Sequence, residues 1–174
     1  MTGTAGPGRF PSWVTVISDM RIRSDSVKET LRFGKSIACR LRPGDIVCLF
    51  GDLGSGKTVL AKGIAEGLGI DAAEVTSPTF VIMHRYEGRM PMFHFDLYRI
   101  QDAGQIEDLG YEEYVFDKGV AVIEWAENMG KLLPDSYLKL DLKTVSENTR
   151  SIAVTAVGAS YKGVLQGIHE DTRA

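Results

Sequence analysis

Cysteine is scarce in this chain, with only Cys39 and Cys48 in 174 residues. Neither shows C-x-x-C spacing or a nearby histidine pair, so a disulfide framework or a thiolate metal site is not indicated. One falls in an expected helix and the other in an expected buried strand, and both read as reduced core thiols. Long hydrophobic runs are missing too. Nothing approaches the roughly 20 apolar residues that span a bilayer. Met1 to Ser12 is rich in Gly, Thr and Pro and lacks the apolar heart of a secretory signal, so the expectation is a cytoplasmic protein without membrane contact. Cationic charge is in deficit as well, with 20 Lys and Arg against 23 Asp and Glu, a net charge of −3. Holding nucleic acid on a broad face needs clustered cations, so any dealing with nucleic acid is expected to be indirect. Internal repeats, charge blocks and interdomain linkers are absent.

What is present suits one α/β domain with a substantial core, at 44% hydrophobic residues. Residues 1–25 are expected to be a flexible extension with a short strand at Trp13 to Ile17, and 26–174 the folded domain. Ser26-x-x-Glu29 has capping-box spacing, and Val27, Leu31, Gly34, Ala38 and Leu41 recur at helical intervals, predicting a helix from Val27 to Arg40. Ile46 to Phe50 and Val120 to Ile123 are short unbroken apolar runs, the mark of strands buried on both faces. Phe80 to Tyr86 and Met92 to Tyr98 flank a turn at Glu87-Gly88-Arg89 and read as a hairpin. Tyr137 to Leu142 and Ser151 to Val157 alternate and read as another. Two short amphipathic stretches, Ala103 to Leu109 and Tyr111 to Phe116, and a last helix at Tyr161 to His169 complete the pass. Parallel-type and alternating strands together imply a mixed parallel/antiparallel sheet flanked by helices.

The strongest signal is Gly51-Asp52-Leu53-Gly54-Ser55-Gly56-Lys57-Thr58, which spells G-x-x-x-x-G-K-T between an apolar strand and a helix that Gly69 is placed to stop. A glycine-rich turn lets backbone N–H groups converge on phosphates, and the following helix adds the positive end of its dipole. Asp52 through Thr58 form the candidate cradle: Lys57 would reach the β- and γ-phosphates, and the Thr58 hydroxyl would ligate Mg²⁺. The fold expected is therefore a single-domain P-loop sandwich. Guanine selection by N-K-x-D is excluded, because Asn128 and Asn148 precede Met129 and Thr149, which leaves ATP as the better fit.

Two acids end hydrophobic strands. Glu124 follows Val120 to Ile123 at the carboxyl end, where open α/β sheets bind ligands, and Asp96 sits in Phe93-His94-Phe95-Asp96-Leu97-Tyr98, where a carboxylate is costly without a cation. Either is able to hold the metal while the other orients water. Thr76, Ser77 and Thr79, around Pro78, lie where P-loop switch proteins place a γ-phosphate sensor, although turn duty explains them nearly as well. His94 reads first as a hydrogen-bonded core residue and second as a proton carrier. Trp125 is a wall of the site or ordinary packing, and Arg85, Arg99 and Arg150 are phosphate contacts or solvated surface. From the residues alone, an ATPase, a small-molecule kinase and a non-catalytic nucleotide sensor all stay open.

Taken in order, G-D-L-G-S-G-K-T, T-S-P-T-F at 76–80, H-F-D-L-Y-R at 94–99 and Glu124-Trp125 resemble the bacterial TsaE (YjeE) family over about Val27 to Val157. The resemblance implies a slow ATPase required for threonylcarbamoyladenosine formation in tRNA, acting with the TsaB and TsaD proteins and reaching tRNA through that complex. It implies that Lys57 and the loop amides bind phosphates, and that Thr58 and Glu124 ligate magnesium with Asp96 as the second acid. It also implies that 76–80 and 94–99, with Tyr98 and Arg99, are switch loops, and that Trp125 takes part in activity.

Overall fold

The computed structural model describes residues 16–77, 82–108, 110–116 and 118–171. Among them the elements run β1 (Val16–Ser24), α1 (Val27–Ala38), β2 (Ile46–Phe50), α2 (Lys57–Gly67), β3 (Met83–Tyr86) and β4 (Met92–Asp96). Then come α3 (Ala103–Glu107), α4 (Tyr111–Val115), β5 (Val120–Glu124), a 3-10 segment (Ala126–Leu132), β6 (Tyr137–Thr144), β7 (Arg150–Val157) and, after a 3-10 turn at Ala159–Tyr161, α5 (Lys162–Asp171). The strands form one sheet in the order β1-β7-β6-β2-β5-β4-β3. Its middle, β6-β2-β5-β4, is parallel, and antiparallel pairings add β3 at one edge and β7 with β1 at the other. This is the mixed sheet the sequence implies.

Side chains alternate across a strand, and here the alternation separates two cores. Val47, Leu49, Val120, Val122 and Met92 pack with Phe33, Ile37, Leu60 and Ile64 of α1 and α2, and with Leu165 and Ile168 of α5. Ile46, Cys48, Phe93, Phe95, Ala121 and Ile123 face Ile106, Tyr111, Val115 and Met129 on the other side. β2, and β5 up to Ile123, are apolar throughout because both of their faces are covered. By the same parity, His94, Asp96 and Glu124 belong to the α2 face.

Several boundaries depart from the sequence reading. Of the strand expected at Trp13 to Ile17, residues 13–15 lie outside the described residues, and β1 runs on from Val16 to Ser24, paired along β7 from Val157 to Arg150, so residues 16–24 lie in the sheet and not in an extension. Its signal was masked because Ser, Asp and Arg interrupt the apolar positions of an edge strand. In α1 the buried row is Thr30, Phe33, Gly34, Ile37 and Ala38, while Val27, at the start of the helix, is exposed. The helix stops at Ala38, which leaves Cys39 exposed as its C-cap; only Cys48 is a core thiol, pushed to a high pKa by complete burial. Ser26 caps the helix as expected, accepting from the Glu29 amide at 3.2 Å, and Glu29 reaches back to the Asp25 amide at 2.7 Å. β3 begins at Met83 and β4 stops at Asp96, shorter than expected. No helix among the described residues is long and apolar enough to cross a membrane.

The α1–α2 contact is made backbone to backbone. A Cβ placed on Gly63 would stand 2.3 Å from the Leu31 carbonyl oxygen, an atom that no rotamer change can move. Gly63→Ala gains about 1 kcal/mol of helix propensity, but overpacking against rigid backbone costs about 1–3 kcal/mol, and the clash wins. The variant is expected to unfold at a lower urea midpoint with an unchanged slope.

Candidate functional site

The loop between β2 and α2 has the backbone the motif requires. Gly51 adopts φ 134° and passes so close to β6 that a Cβ would lie 2.3 Å from the Leu142 carbonyl oxygen; only glycine fits there. Gly56, at φ 104°, opens α2 without a side-chain cap. Leu60 N–H bonds the Gly56 carbonyl at 3.0 Å, and the amides ahead of it in the first turn have no carbonyl within the helix to bond. They and the helix dipole make this end a site for an anion. Asp52, Leu53 and Gly54 are exposed, and the buried Ser55 hydroxyl has no partner among the described residues.

Lys57 is folded back on its own loop. Its ammonium donates to the Gly51 carbonyl and, at 2.9 Å, to that of Asp52, and it stands 3.7 Å from the centre of the Trp125 ring. The side chain is only 4% exposed, and this burial pulls its pKa below the ordinary lysine value, with Glu124, Glu127, Asp96 and Asp52 opposing the shift. The unfolded chain holds this proton more tightly, so the group costs stability at neutral pH, and the cost fades as the pH rises through the lowered value toward 10.5. A phosphate at this position would offset it.

Glu124 closes β5 and joins two elements. Its Oε2 accepts the Thr58 hydroxyl at 2.9 Å, tying the sheet to the first turn of α2, and its Oε1 meets His94 Nε2 at 2.8 Å. Glu124 and His94 are 2% and 0% exposed, so neither has water in place of the other. With the carboxylate ionised, Nε2 is the donor of this bond, and Nδ1 has no partner among the described residues. His94 is therefore both buried, as its apolar strand suggested, and attached to the site. Asp96 stands beside Glu124 in the β4–β5 register. It accepts the Ser77 hydroxyl through Oδ2 and the Tyr98 amide at 2.9 Å through Oδ1. Two carboxylates and a threonine hydroxyl on one face are the hard oxygen donors that suit Mg²⁺, which binds through one or two carboxylates together with phosphates; the residues fit that cofactor.

Trp125 has φ 57°, a left-handed conformation that costs a bulky residue on the order of 1–3 kcal/mol. The strain turns its ring from the strand toward the loop, where Tyr98 packs at 5.0 Å between centroids and Lys57 caps the ring. Asn128 fixes the far side, donating to the Leu97 carbonyl at 2.7 Å. Thr76 is exposed, with its amide 3.3 Å from the Tyr86 hydroxyl. Arg99 is exposed just past β4, Arg85 forms a surface pair with Glu87 at 2.8 Å, and Thr79 lies outside the described residues. Glu127 escaped the sequence reading. Though exposed overall, its carboxyl lies beside the loop, where partial burial raises its pKa and Lys57 and the Gly51 amide pull part of the way back. Nothing in the spacing E-W-A-E separates such a residue from a solvated helix acid.

The model of the family described as Threonylcarbamoyl adenosine biosynthesis protein TsaE matches residues 24–152. The chain is 41% identical over 147 residues to the tRNA threonylcarbamoyladenosine biosynthesis protein TsaE of Bacillus subtilis, covering 84% of this chain and 91% of that one. It is 39% identical to the Treponema pallidum protein of the same name, over 78% of this chain and 99% of the other. The crystal structure of Bacillus subtilis YdiB superposes with a TM-score of 0.77 at 34% identity, covering 91% of this chain and 99% of that chain.

The pairing of His94 with Glu124 yields a stability test. His94→Phe keeps an aromatic ring but strands a buried carboxylate oxygen, and breaking one side of such a pair costs about 3–5 kcal/mol. Urea unfolding of the free protein should show a loss of that size.

Proposed function

Because the chain belongs to the TsaE family, whose proteins serve threonylcarbamoyladenosine biosynthesis, we propose that it binds ATP with Mg²⁺ on the loop 51–58 and hydrolyses it slowly in support of that tRNA modification. The observation that carries the reading is the Thr58–Glu124 bond at 2.9 Å. It joins the motif threonine to a strand-end acid 66 residues away in sequence, beside Asp96, as a magnesium–phosphate site requires and as a glycine-rich connection alone does not.

In this reading Lys57 exchanges its loop carbonyls and the Trp125 ring for the β- and γ-phosphates. Thr58 and Glu124 hold the cation. A magnesium ion held there would supply positive charge to offset that of the phosphate oxygens. His94 keeps Glu124 in its rotamer. Asp96, released from Ser77, orients the attacking water, so that the segment carrying Thr76, Ser77 and Thr79 reads whether a γ-phosphate is present. The segment with Tyr98 and Arg99, linked to Asp96 through the Tyr98 amide, carries that state to the surface. Work on tRNA then belongs to partners, TsaB and TsaD, with hydrolysis resetting the assembly between rounds.

Phosphate release, measured with and without the TsaB–TsaD complex and tRNA, tests this. Turnover is expected to be weak alone and faster with the partners, and Lys57→Ala and Glu124→Gln are each expected to reduce it about 10²-fold or more. A phosphorylated metabolite in place of free phosphate would instead make the chain a kinase. Tryptophan emission offers a second check. ADP binding is expected to draw Lys57 off the Trp125 ring and change the spectrum, a response that Trp125→Phe should remove.

A further inference from the structure

Arg150 opens β7, beside the turn that joins it to β6, and its guanidinium holds two sets of backbone carbonyls at once. Nη1 donates to Ser146 at 3.0 Å and to Glu147 and Thr149 at 3.1 Å, all within the hairpin turn. Nε donates to Ser55 at 3.1 Å and Nη2 reaches Gly54 at 3.5 Å, both inside the nucleotide loop. A trans peptide is planar, with C=O and N–H pointing opposite ways. Drawing the Gly54 carbonyl toward the hairpin therefore turns the Ser55 N–H away from it, and that N–H does cross the loop to the Asp52 carbonyl at 3.2 Å. The next peptide follows the same rule: with the Ser55 carbonyl on Arg150, the Gly56 N–H faces away from the hairpin, where the reading above would have it meet a phosphate.

We propose that Arg150 is a positioning residue of the nucleotide site, a clasp that sets the loop's amides in their binding orientation before the ligand arrives and couples the loop to the 146–149 turn. It acts from behind the loop and touches no phosphate. The inference rests on the reading of loop 51–58 as an ATP cradle. A guanidinium suits the task because its five donors are fixed in a planar fork able to span two carbonyl groups, whereas an ammonium is a single centre.

The full chain and its Arg150→Ala and Arg150→Lys variants would be titrated calorimetrically with Mg-ATP, Mg-ADP and inorganic tripolyphosphate, alongside thermal unfolding. Removing preorganisation lowers affinity. Arg150→Ala is expected to raise all three dissociation constants about tenfold and by similar factors, since the lesion lies where phosphates bind, and Arg150→Lys is expected to fall between. A merely structural arginine would lower the thermal midpoint while the folded variant bound all three ligands within about twofold of wild type, which overturns the clasp. Should Arg150→Ala not fold, Arg150→Lys carries the comparison, and wild-type tripolyphosphate affinity in it is equally fatal. A wild-type chain that bound none of the three would defeat the ATP reading itself, a result distinct from variants that bind as well as wild type.

Discussion

One buried carboxylate holds the site together. Glu124 lies at the end of a fully apolar strand, where an unpaired charge would cost several kcal/mol, and its two oxygens are taken by Thr58 and His94. Because Thr58 belongs to the first turn of α2 and His94 to β4, that single group fixes the helix, the two strands and the loop between them in one frame. The two-sided core supplies the rigidity behind it, since β2, β4 and β5 are buried on both faces and cannot slide without exposing apolar rows to water.

On this frame several groups of the site bond one another. Lys57 bonds its own loop carbonyls, Ser77 bonds Asp96, and Thr58 bonds Glu124. In the reading proposed above, each is a polar partner that a magnesium–nucleotide complex would replace with phosphate or metal contacts. A ligand able to make all three exchanges is selected over one that makes only some, because a buried group left unpaired costs more than the mean worth of a hydrogen bond. The strained backbone of Trp125 belongs to the same arrangement, as it brings the ring under Lys57 and against Tyr98 and thereby links the lysine to the segment after β4.

Much of this was legible along the chain. The glycine-rich turn before α2, the buried central strands, the two hairpins, the Ser26 cap and the placing of Glu124 at a strand end followed from local rules of spacing and burial. What escaped did so for physical reasons. β1 is an edge strand with polar residues on its exposed side, so its periodicity is weak, and its partner is the last strand of the chain. Val27 keeps the spacing of the buried helix face, yet spacing alone does not say that the first residue of the helix is exposed. Cys39 looked buried because one residue past a helix end cannot be told from one residue within it.

The sequence by itself determined that residues 51–58 form a glycine-rich turn opening a helix and that acids stand at the ends of two strands, because glycine's freedom at positive φ and the alternation of side chains are properties of neighbours along the chain. Only the tertiary structure decided which groups meet: that His94 serves Glu124, that Ser77 reaches Asp96, that Glu127 lies beside the loop, and that Arg150 holds it from behind. Those contacts bridge 19 to 96 positions of chain for the hydrogen-bonded pairs. They are set by sheet order and register, which arise from burying two faces at once and are written in no local stretch.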